Sequence, residues 1–437
     1  MPTRKKRYEQ NLVENINNRI DEKEYHHRHR DGNSSFTRHR KLAFKHIVVF
    51  LMNLVTRSIQ KELNHFFKLV QSGEFDIHHV SKSAFTQARA KLKHTAFVEL
   101  NDLVTEDFYK NMPWMSWLGH RVLSSDGSTM CLPDSPQLRG GYSTHRFGSG
   151  EREKVIARIS QLYDPLNDII VNATVGQYRD GEQTLNRTHL PHLKQGDVLL
   201  MDRYYAARWL FAVLLNKGVH FVCRLQEKWW KEAREMIASG LTEKIVQFSV
   251  GYNHFWLLDQ YGVKDKKITC RLIVHQLDNG EKMILCTSLL EKNTYSAERI
   301  VDLYRKRWGI EESYKTLKCR MDIENFTGKT PKAILQDFYV KIFLQNLCAY
   351  LTVDQQVNLE NQQRHNPKKH HYKINKSLAL SSLKDLPVLF FFKQSIKSAL
   401  KAFKELIRNY RIPIRPGRKF IRRPSIRKLS KMNYKPI

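Results

Sequence analysis

Apolar residues recur at three- and four-residue spacing through KLAFKHIVVFLMNLVTRSIQKELNHFFKLV, so residues 40–112 read as helical. VSKSAFTQARAKLKHTAFVELN continues the pattern with a second helix that Ser81 or Ser83 would cap. Its face bearing Lys82, Arg89, Lys91 and Lys93 is either the wet side of an amphipathic helix or a binding surface.

Around Pro113 the period changes. RVLSSDGSTMCLP (121–133) mixes β-branched and small residues and ends at a proline, as a strand would. KVIARISQLYD (154–164) and NDIIVNATV (167–175) flank a turn containing Pro165 and read as a strand pair. After a polar helix-like stretch, GDVLLMD (196–202) is a short apolar run of the kind that forms a buried central strand. AARWLFAVLLNKG is expected to be a helix ending near Gly218, and VHFVCRL another strand. From 226 to 290, VQFSVGYNHFWLL, KKITCRLIVHQL and EKMILCTSL read as strands between turns such as Asp278-Asn279-Gly280. SAERIVDLYRKRWGIEESYKTLKCRM (296–321) returns to helix. Alternating strands and helices predict a mixed α/β sheet with helices on its faces.

Composition adds scale and a partner. At 437 residues the chain exceeds one compact core, so two to four units are expected, and 41% hydrophobic residues suffice for folding. Lys and Arg number 74 against 43 Asp and Glu, a formal net charge of +31. Such an excess favours a polyanion, because a cation placed at a phosphate releases condensed counterions. The six cysteines form no CxxC pair and several lie in apolar runs, which speaks against a zinc site and for a reducing compartment. MPTRKKRYEQ precedes no apolar signal core. The longest apolar stretch, in KHIVVFLMNLV, falls short of the roughly 20 residues a membrane span needs. Residues 1–40, with the cluster HHRHR, read as a solvated or DNA-touching arm. Beyond residue 405 there is no acidic residue, and the proline-broken tail is expected to pack little core. It serves either phosphates or solubility.

The candidate chemistry centres on residues 304–318. Tyr304, Arg307, Glu311 and Lys318 lie within about 60° of one another on an ideal helix. A carboxylate beside cations suits a phosphodiester site, where the carboxylate binds metal and the cations hold phosphate oxygens. The alternative is an exposed face with an Arg307–Glu311 ion pair at i,i+4 spacing. Asp126 within a predicted strand is unfavourable unless paired or metal-bound. Asp202 ends an apolar strand, where carboxylates commonly point into a site. Asp126, Asp202 and Glu311 are therefore expected to converge on Mg²⁺, which takes oxygen ligands, with two ions activating the nucleophile and stabilising the leaving oxygen. Arg203 would approach phosphate or pair with a carboxylate. Asp134 is assigned to a turn, Glu312 lies off the stripe, and Trp308 reads as core. GGYSTHRFGSG (140–150) lacks a nucleotide-loop ending, and either closes over a ligand or is a mobile connection.

DGSTMCLPDS (126–135), MDRYY (201–205) and YRKRWGIEESYKTLK (304–318) resemble the three catalytic blocks of DDE-class insertion-sequence transposases of the insertion-sequence-four group. The group's signature Y-x2-R-x3-E-x6-K is met by Tyr304, Arg307, Glu311 and Lys318, and the resemblance runs from about residue 38 to 350.

The resemblance implies a ribonuclease-H-like α/β fold interrupted by a β-rich insertion, with a helical N-terminal DNA-binding domain. Its expected divisions are 1–115 for the basic arm and that domain, 116–225 and 291–350 for the core, 226–290 for the insertion and 351–437 for a basic C-terminal region. It implies Asp126, Asp202 and Glu311 as ligands of two Mg²⁺ ions, with Mn²⁺ able to substitute. Tyr304, Arg307 and Lys318, joined by Arg203 and Lys315, would contact DNA. Cut-and-paste transposition through a hairpin at the element's terminal repeats is implied, as are a DNA-dependent homodimer and a cytoplasmic, nucleoid-associated location. Relatives stack a flipped base on a Trp before the signature. Here Met283 stands in that region, and Trp256 or Tyr252 would substitute unless Trp256 belongs to the β core. The rivals are a non-catalytic DNA-binding regulator and a nuclease on the same fold.

Overall fold

The computed structural model describes residues 8–38, 40–54, 58–146, 153–365, 370–393 and 395–415. Six helices come first: α1 (Tyr8–Asp21), α2 (Lys23–His29), α3 (Phe44–Met52), α4 (Ile59–Gln71), α5 (Lys82–Arg89) and α6 (Thr95–Asn111). The chain then runs through β1 (Val122–Cys131), α7 (Pro136–Gly141), β2 (Ser143–His145), β3 (Lys154–Asp164), β4 (Ile169–Gln177), α8 (Glu182–Arg187), β5 (Val198–Met201), α9 (Arg208–Asn216) and β6 (His220–Leu225). Next come α10 (Lys231–Ala238), β7 (Glu243–Ser249), α11 (Phe255–Gln260), β8 (Lys267–Gln276) and β9 (Lys282–Thr287). The last part holds α12 (Ala297–Arg305), α13 (Gly309–Lys315), α14 (Pro331–His365), β10 (Tyr372–Lys373), α15 (Lys376–Ser381), α16 (Leu386–Phe391), α17 (Ile396–Asn409) and β11 (Ile412–Pro413).

Nine strands form one mixed sheet in the order β2-β3-β1-β5-β6-β9-β8-β7, with β4 also on β3. β1, β5 and β6 are parallel, and β3 runs antiparallel to β1. Alternation along the central strands divides the core into two layers. Val122, Val198, Leu200 and Val222 pack with Ile300, Val301, Leu303 and Tyr304 of α12. The intervening Leu123, Leu199, Met201 and Phe221 join the larger core, where Phe211 of α9 stacks on Phe221 at 4.2 Å between ring centroids. Helices thus cover both faces of a mixed α/β sheet. The strands from 226–290 extend this sheet through the β6–β9 pairing and do not form one of their own. Within VQFSVGYNHFWLL, expected as one strand, only β7 is extended, and α11 takes the second half.

The N-terminal region departs from the expected arm. Leu12, Val13, Ile16 and Ile20 of α1 are fully buried, each contributing about 1.5–3 kcal/mol that a solvated segment would forgo. Arg28 and His29 of the HHRHR cluster are tied to Glu99 of α6 at 2.6 and 2.7 Å. Ser81 caps α5 through Ala84 N at 3.2 Å. Arg89, expected on its wet face, is 3% exposed. The boundary expected at residue 350 falls inside α14, which packs against α6, β4 and α17. Asn346 of α14 bonds both Ile170 N (2.8 Å) and Ile170 O (2.7 Å), satisfying backbone groups of β4 at the sheet edge. The C-terminal region also packs core: Val388, Phe390, Phe403 and Ile407 are buried. The basic tail from residue 416, and residues 147–152 of the Gly-rich loop, lie outside the described residues.

Glu9 of α1 pairs with Lys404 of α17. Burial pushes its carboxyl up to about 6 despite Lys404. A raised folded-state pKa favours the protonated form, so this contribution to stability is full below about 4.5 and is lost as pH rises through about 6. Glu9→Gln is therefore expected to remove about 2 kcal/mol of the stability decline between pH 4.5 and 7. Urea unfolding of both proteins at the two pH values checks it, and equal declines would refute it.

Candidate functional site

β1 pairs β5 only from Val122 to Ser124 and then continues beside β3 to Cys131. The sheet therefore opens at Asp126, at the switch point where parallel strands give way to the antiparallel partner, the usual place for a site in such sheets. Asp202 follows the end of β5 across this opening. Its side chain accepts from Tyr204 N at 2.8 Å and caps the single turn Arg203–Tyr205.

The segment 297–320 departs from the expected regular helix. α12 ends at Arg305, Lys306–Trp308 form a 3₁₀ turn, and after α13 the last turn, Thr316–Arg320, is wound as a π-helix. A Cβ at Gly309 would lie 2.8 Å from Pro165 Cβ, so only glycine allows the chain to pass this close to the β3–β4 turn. Beyond it, α13 docks through hydrogen bonds. Ser313 donates to Gln161 (3.0 Å), which stands opposite Asp126 in the ladder. Tyr314 OH donates to the Asp126 carbonyl (2.8 Å), which also accepts from Ser160 (3.2 Å). These contacts fix where Glu311 emerges.

The Arg307 guanidinium is buried between two of the acids. Nη1 lies 3.8 Å from Asp126 Oδ2, and Nη2 lies 3.4 Å from Glu311 Oε1. Its carbon sits 5.9 Å from the Tyr304 ring centroid and 5.1 Å from that of Trp308. Lys318, on the π turn, donates to Ser128 Oγ on β1 at 2.8 Å. Burial pushes the Asp126 carboxyl up to about 6, with the Asp202 charge pushing the same way against Gly127 N–H and Arg307. Tyr304 is buried and its hydroxyl is pushed up by that burial.

Four of the expected residues, Asp126, Arg307, Glu311 and Lys318, thus meet around β1, with Asp202 within electrostatic reach. Among the described residues, no three carboxylate, imidazole or thiol groups come close enough to enclose a metal ion. The Arg307 guanidinium lies between Asp126 and Glu311. The donor set nevertheless fits a hard divalent ion, being oxygen-only, partly buried and mutually repelling. Arg203 and Lys315 are exposed at the rim, and Lys315 pairs with Glu312. Trp308, expected in the core, is 58% exposed, because the 3₁₀ turn rotates it outward from α12. Trp256 is 60% exposed on α11 and belongs to no β core. Sequence reasoning missed Ser128, Gln161, Ser313 and Tyr314, whose roles arise from cross-strand register that no local spacing reports.

The chain matches the family model described as "Transposase DDE domain" over residues 117–347. It is 22% identical over 275 residues to transposase InsG for insertion sequence element IS4 of Escherichia coli K12, covering 62% of this chain and 61% of that protein. It is 26% identical over 182 residues to the putative transposase InsZ of the same organism, covering 40% of this chain and 58% of that protein. The chain thus spans about three-fifths of the length of the curated relatives it matches. A solved structure of the piggyBac transposase synaptic complex with hairpin DNA aligns with 90% of this chain and 85% of that one, at 10% identity and a TM-score of 0.49.

Proposed function

Because the chain belongs to the transposase DDE domain family, we propose that it cuts DNA at the terminal inverted repeats of its own insertion sequence and joins the freed 3′-hydroxyl ends to target DNA. The observation that carries this reading is the buried Arg307 held between Asp126 and Glu311 at the opening of the sheet. It supports a site built for alternating charge, as a phosphodiester needs: acids for cations and a cation for phosphate oxygens. Asp126, Asp202 and Glu311 would hold Mg²⁺ (two ions, with Mn²⁺ as substitute). When bound, the ions would polarise the scissile phosphate and lower the pKa of the attacking hydroxyl. Arg307 would turn from the carboxylates to the phosphate, with Lys318 and Tyr304 beside it and Lys315 and Arg203 at the rim.

A cut-and-paste route through a hairpin is part of the proposal. The exposed Trp308, stacked against Arg307, supports it, since an extruded base needs an aromatic face to offset the few kcal/mol of unstacking. The N-terminal helical region is proposed to grip DNA through the groove lined by Arg38, Arg40, Lys41 and Lys91, beside the start of α5. A DNA-dependent homodimer acting in the cytoplasm at the nucleoid completes the reading. No helix among the described residues is long and apolar enough to cross a membrane.

Incubation with Mg²⁺ and labelled DNA carrying the element's own ends tests this. End-specific cleavage is expected. Indiscriminate degradation would instead indicate a nuclease, and binding without cleavage a regulator. Lys318→Ala is expected to weaken DNA binding and to reduce the slope of log affinity against log salt by about 1. Its melting temperature should hardly move, because its bond to the Ser128 hydroxyl is only part-buried. An unchanged salt slope would remove Lys318 from the phosphate contacts.

A further inference from the structure

We infer that Glu182 is a fourth carboxylate of this divalent-ion site, reaching it from the face of the sheet opposite Glu311. The inference rests on the metal-dependent reading above.

Successive residues of β1 face opposite ways. Asp126 shares its face with Gln161 and α13, whereas Ser125 and Gly127 face α8, where Asn186 bonds Ser125 Oγ. A Cβ at Gly127 would stand 2.9 Å from Glu182 Cγ and 3.0 Å from its carboxyl carbon. The acid therefore lies directly on the strand beside Asp126, and only glycine leaves room for it. Because β5 stops pairing with β1 at Ser124, the slot beyond is open to side chains from both faces of the sheet.

An independent feature points into the same slot. Tyr205 is fully buried, and its hydroxyl has no hydrogen-bond partner among the described residues. An unsatisfied buried hydroxyl costs about 1–3 kcal/mol. Burial raises its pKa, and after burial the charges that act on it most are those of Asp126, Glu182 and Asp202, in that order. An oxygen-bearing group left without a partner among three acids fits a place completed by a hydrated cation. Glu182 is already oriented: Arg158 Nη1 holds its Oε1, and Arg158 Nε donates to Tyr178 O at 3.2 Å. Oε2 is the oxygen assigned to the ion.

The rival account gives Glu182 no role beyond its ion pair with Arg158. Mn²⁺ uptake by the full chain, read from the loss of the free-ion paramagnetic signal, separates the two without any DNA. Glu182→Gln is expected to raise the Mn²⁺ dissociation constant roughly tenfold or more, and Arg158→Met, which frees the oxygen that Arg158 holds, is expected to weaken uptake as well. Gly127→Ala removes no ligand but displaces Glu182, and should also weaken uptake, which covers the case in which Glu182→Gln misfolds. Parental affinity in Glu182→Gln and Gly127→Ala would overturn the inference and leave the three-acid reading standing. If the parent chain takes up no Mn²⁺, and Asp202→Asn is no different, the metal-dependent reading falls with it.

Discussion

Asp202→Asn is expected to lower metal-dependent DNA cleavage by about 10³-fold or more, with the protein otherwise intact. The substitution is chosen for what it keeps. The Asp202 side chain caps the turn after β5 through Tyr204 N, and an asparagine oxygen accepts the same bond, so the cap is preserved. What it removes is one negative charge facing Asp126 across the opening of the sheet. Asp126 is already reluctant to ionise, through burial first and then the nearness of Asp202. In the absence of an ion, relieving that repulsion should leave stability the same or slightly higher. A large loss of activity with an unchanged or raised melting temperature is therefore the signature of a residue whose charge serves a cation and not the fold. Single-turnover cleavage and thermal melting on the same preparation provide both numbers. Retained cleavage would exclude Asp202 from the chemistry.

Arg89→Met is expected to cost about 3–5 kcal/mol of stability, the largest effect predicted for any substitution outside the site. Arg89 of α5 bonds Gln336 (2.9 Å), Asp337 (3.0 Å) and the Ala333 carbonyl (3.3 Å) on α14, and also the Thr327 hydroxyl. Asp337 is buried too and accepts from Thr327 N at 2.6 Å. Gln336 in turn donates to the Arg89 and Leu92 carbonyls. Removing the guanidinium leaves a buried carboxylate with no counter-charge, and that unpaired charge accounts for most of the cost. Arg89→Met combined with Asp337→Leu should consequently recover much of the loss, since an apolar pair of similar volume is often neutral. Chemical unfolding of the two single variants and the double variant forms the cycle. Additive losses would show that the network does not act as a unit. Because α14 also carries Asn346 against β4, the single variants are expected to loosen the N-terminal helices from the catalytic sheet before the sheet itself unfolds.

The sheet was readable from the chain because its signals are local. KVIARISQLYD, VLLM and VHFVCRL have the β-branched and apolar runs that buried strands need, and they became β3, β5 and β6. The spacing of Tyr304, Arg307, Glu311 and Lys318 was equally local, and it marked a segment whose side chains do gather at one edge of β1. The geometry there was not readable. A uniform 100° step assumes a regular helix, whereas the 3₁₀ turn at Lys306–Trp308 and the π turn at Thr316–Arg320 both change the rotation. The 3₁₀ turn at Lys306–Trp308 is what leaves Trp308 facing solvent while Arg307 faces inward. The termini misled for a related reason. Their composition is charged and polar, but in α1 and α17 the few apolar residues fall on one stripe, and tertiary packing of that stripe outweighs low mean hydropathy. Arg89 showed the reverse, a charge that looks solvated by type and is buried because α14 supplies its partners from almost 250 residues away. Glu182 lay in a polar stretch with no periodic mark, and only the open slot beside β1 gives it meaning.

Strand joining separates a transposase from a nuclease on the same sheet. A labelled, pre-cut copy of the element's terminal repeat, ending in a free 3′-hydroxyl, is mixed with the protein, a supercoiled target plasmid and Mg²⁺. Covalent transfer of the label to the plasmid is expected from the parent chain and none from Asp202→Asn. Nicking of the plasmid without transfer of the end, or equal transfer by the variant, would contradict it.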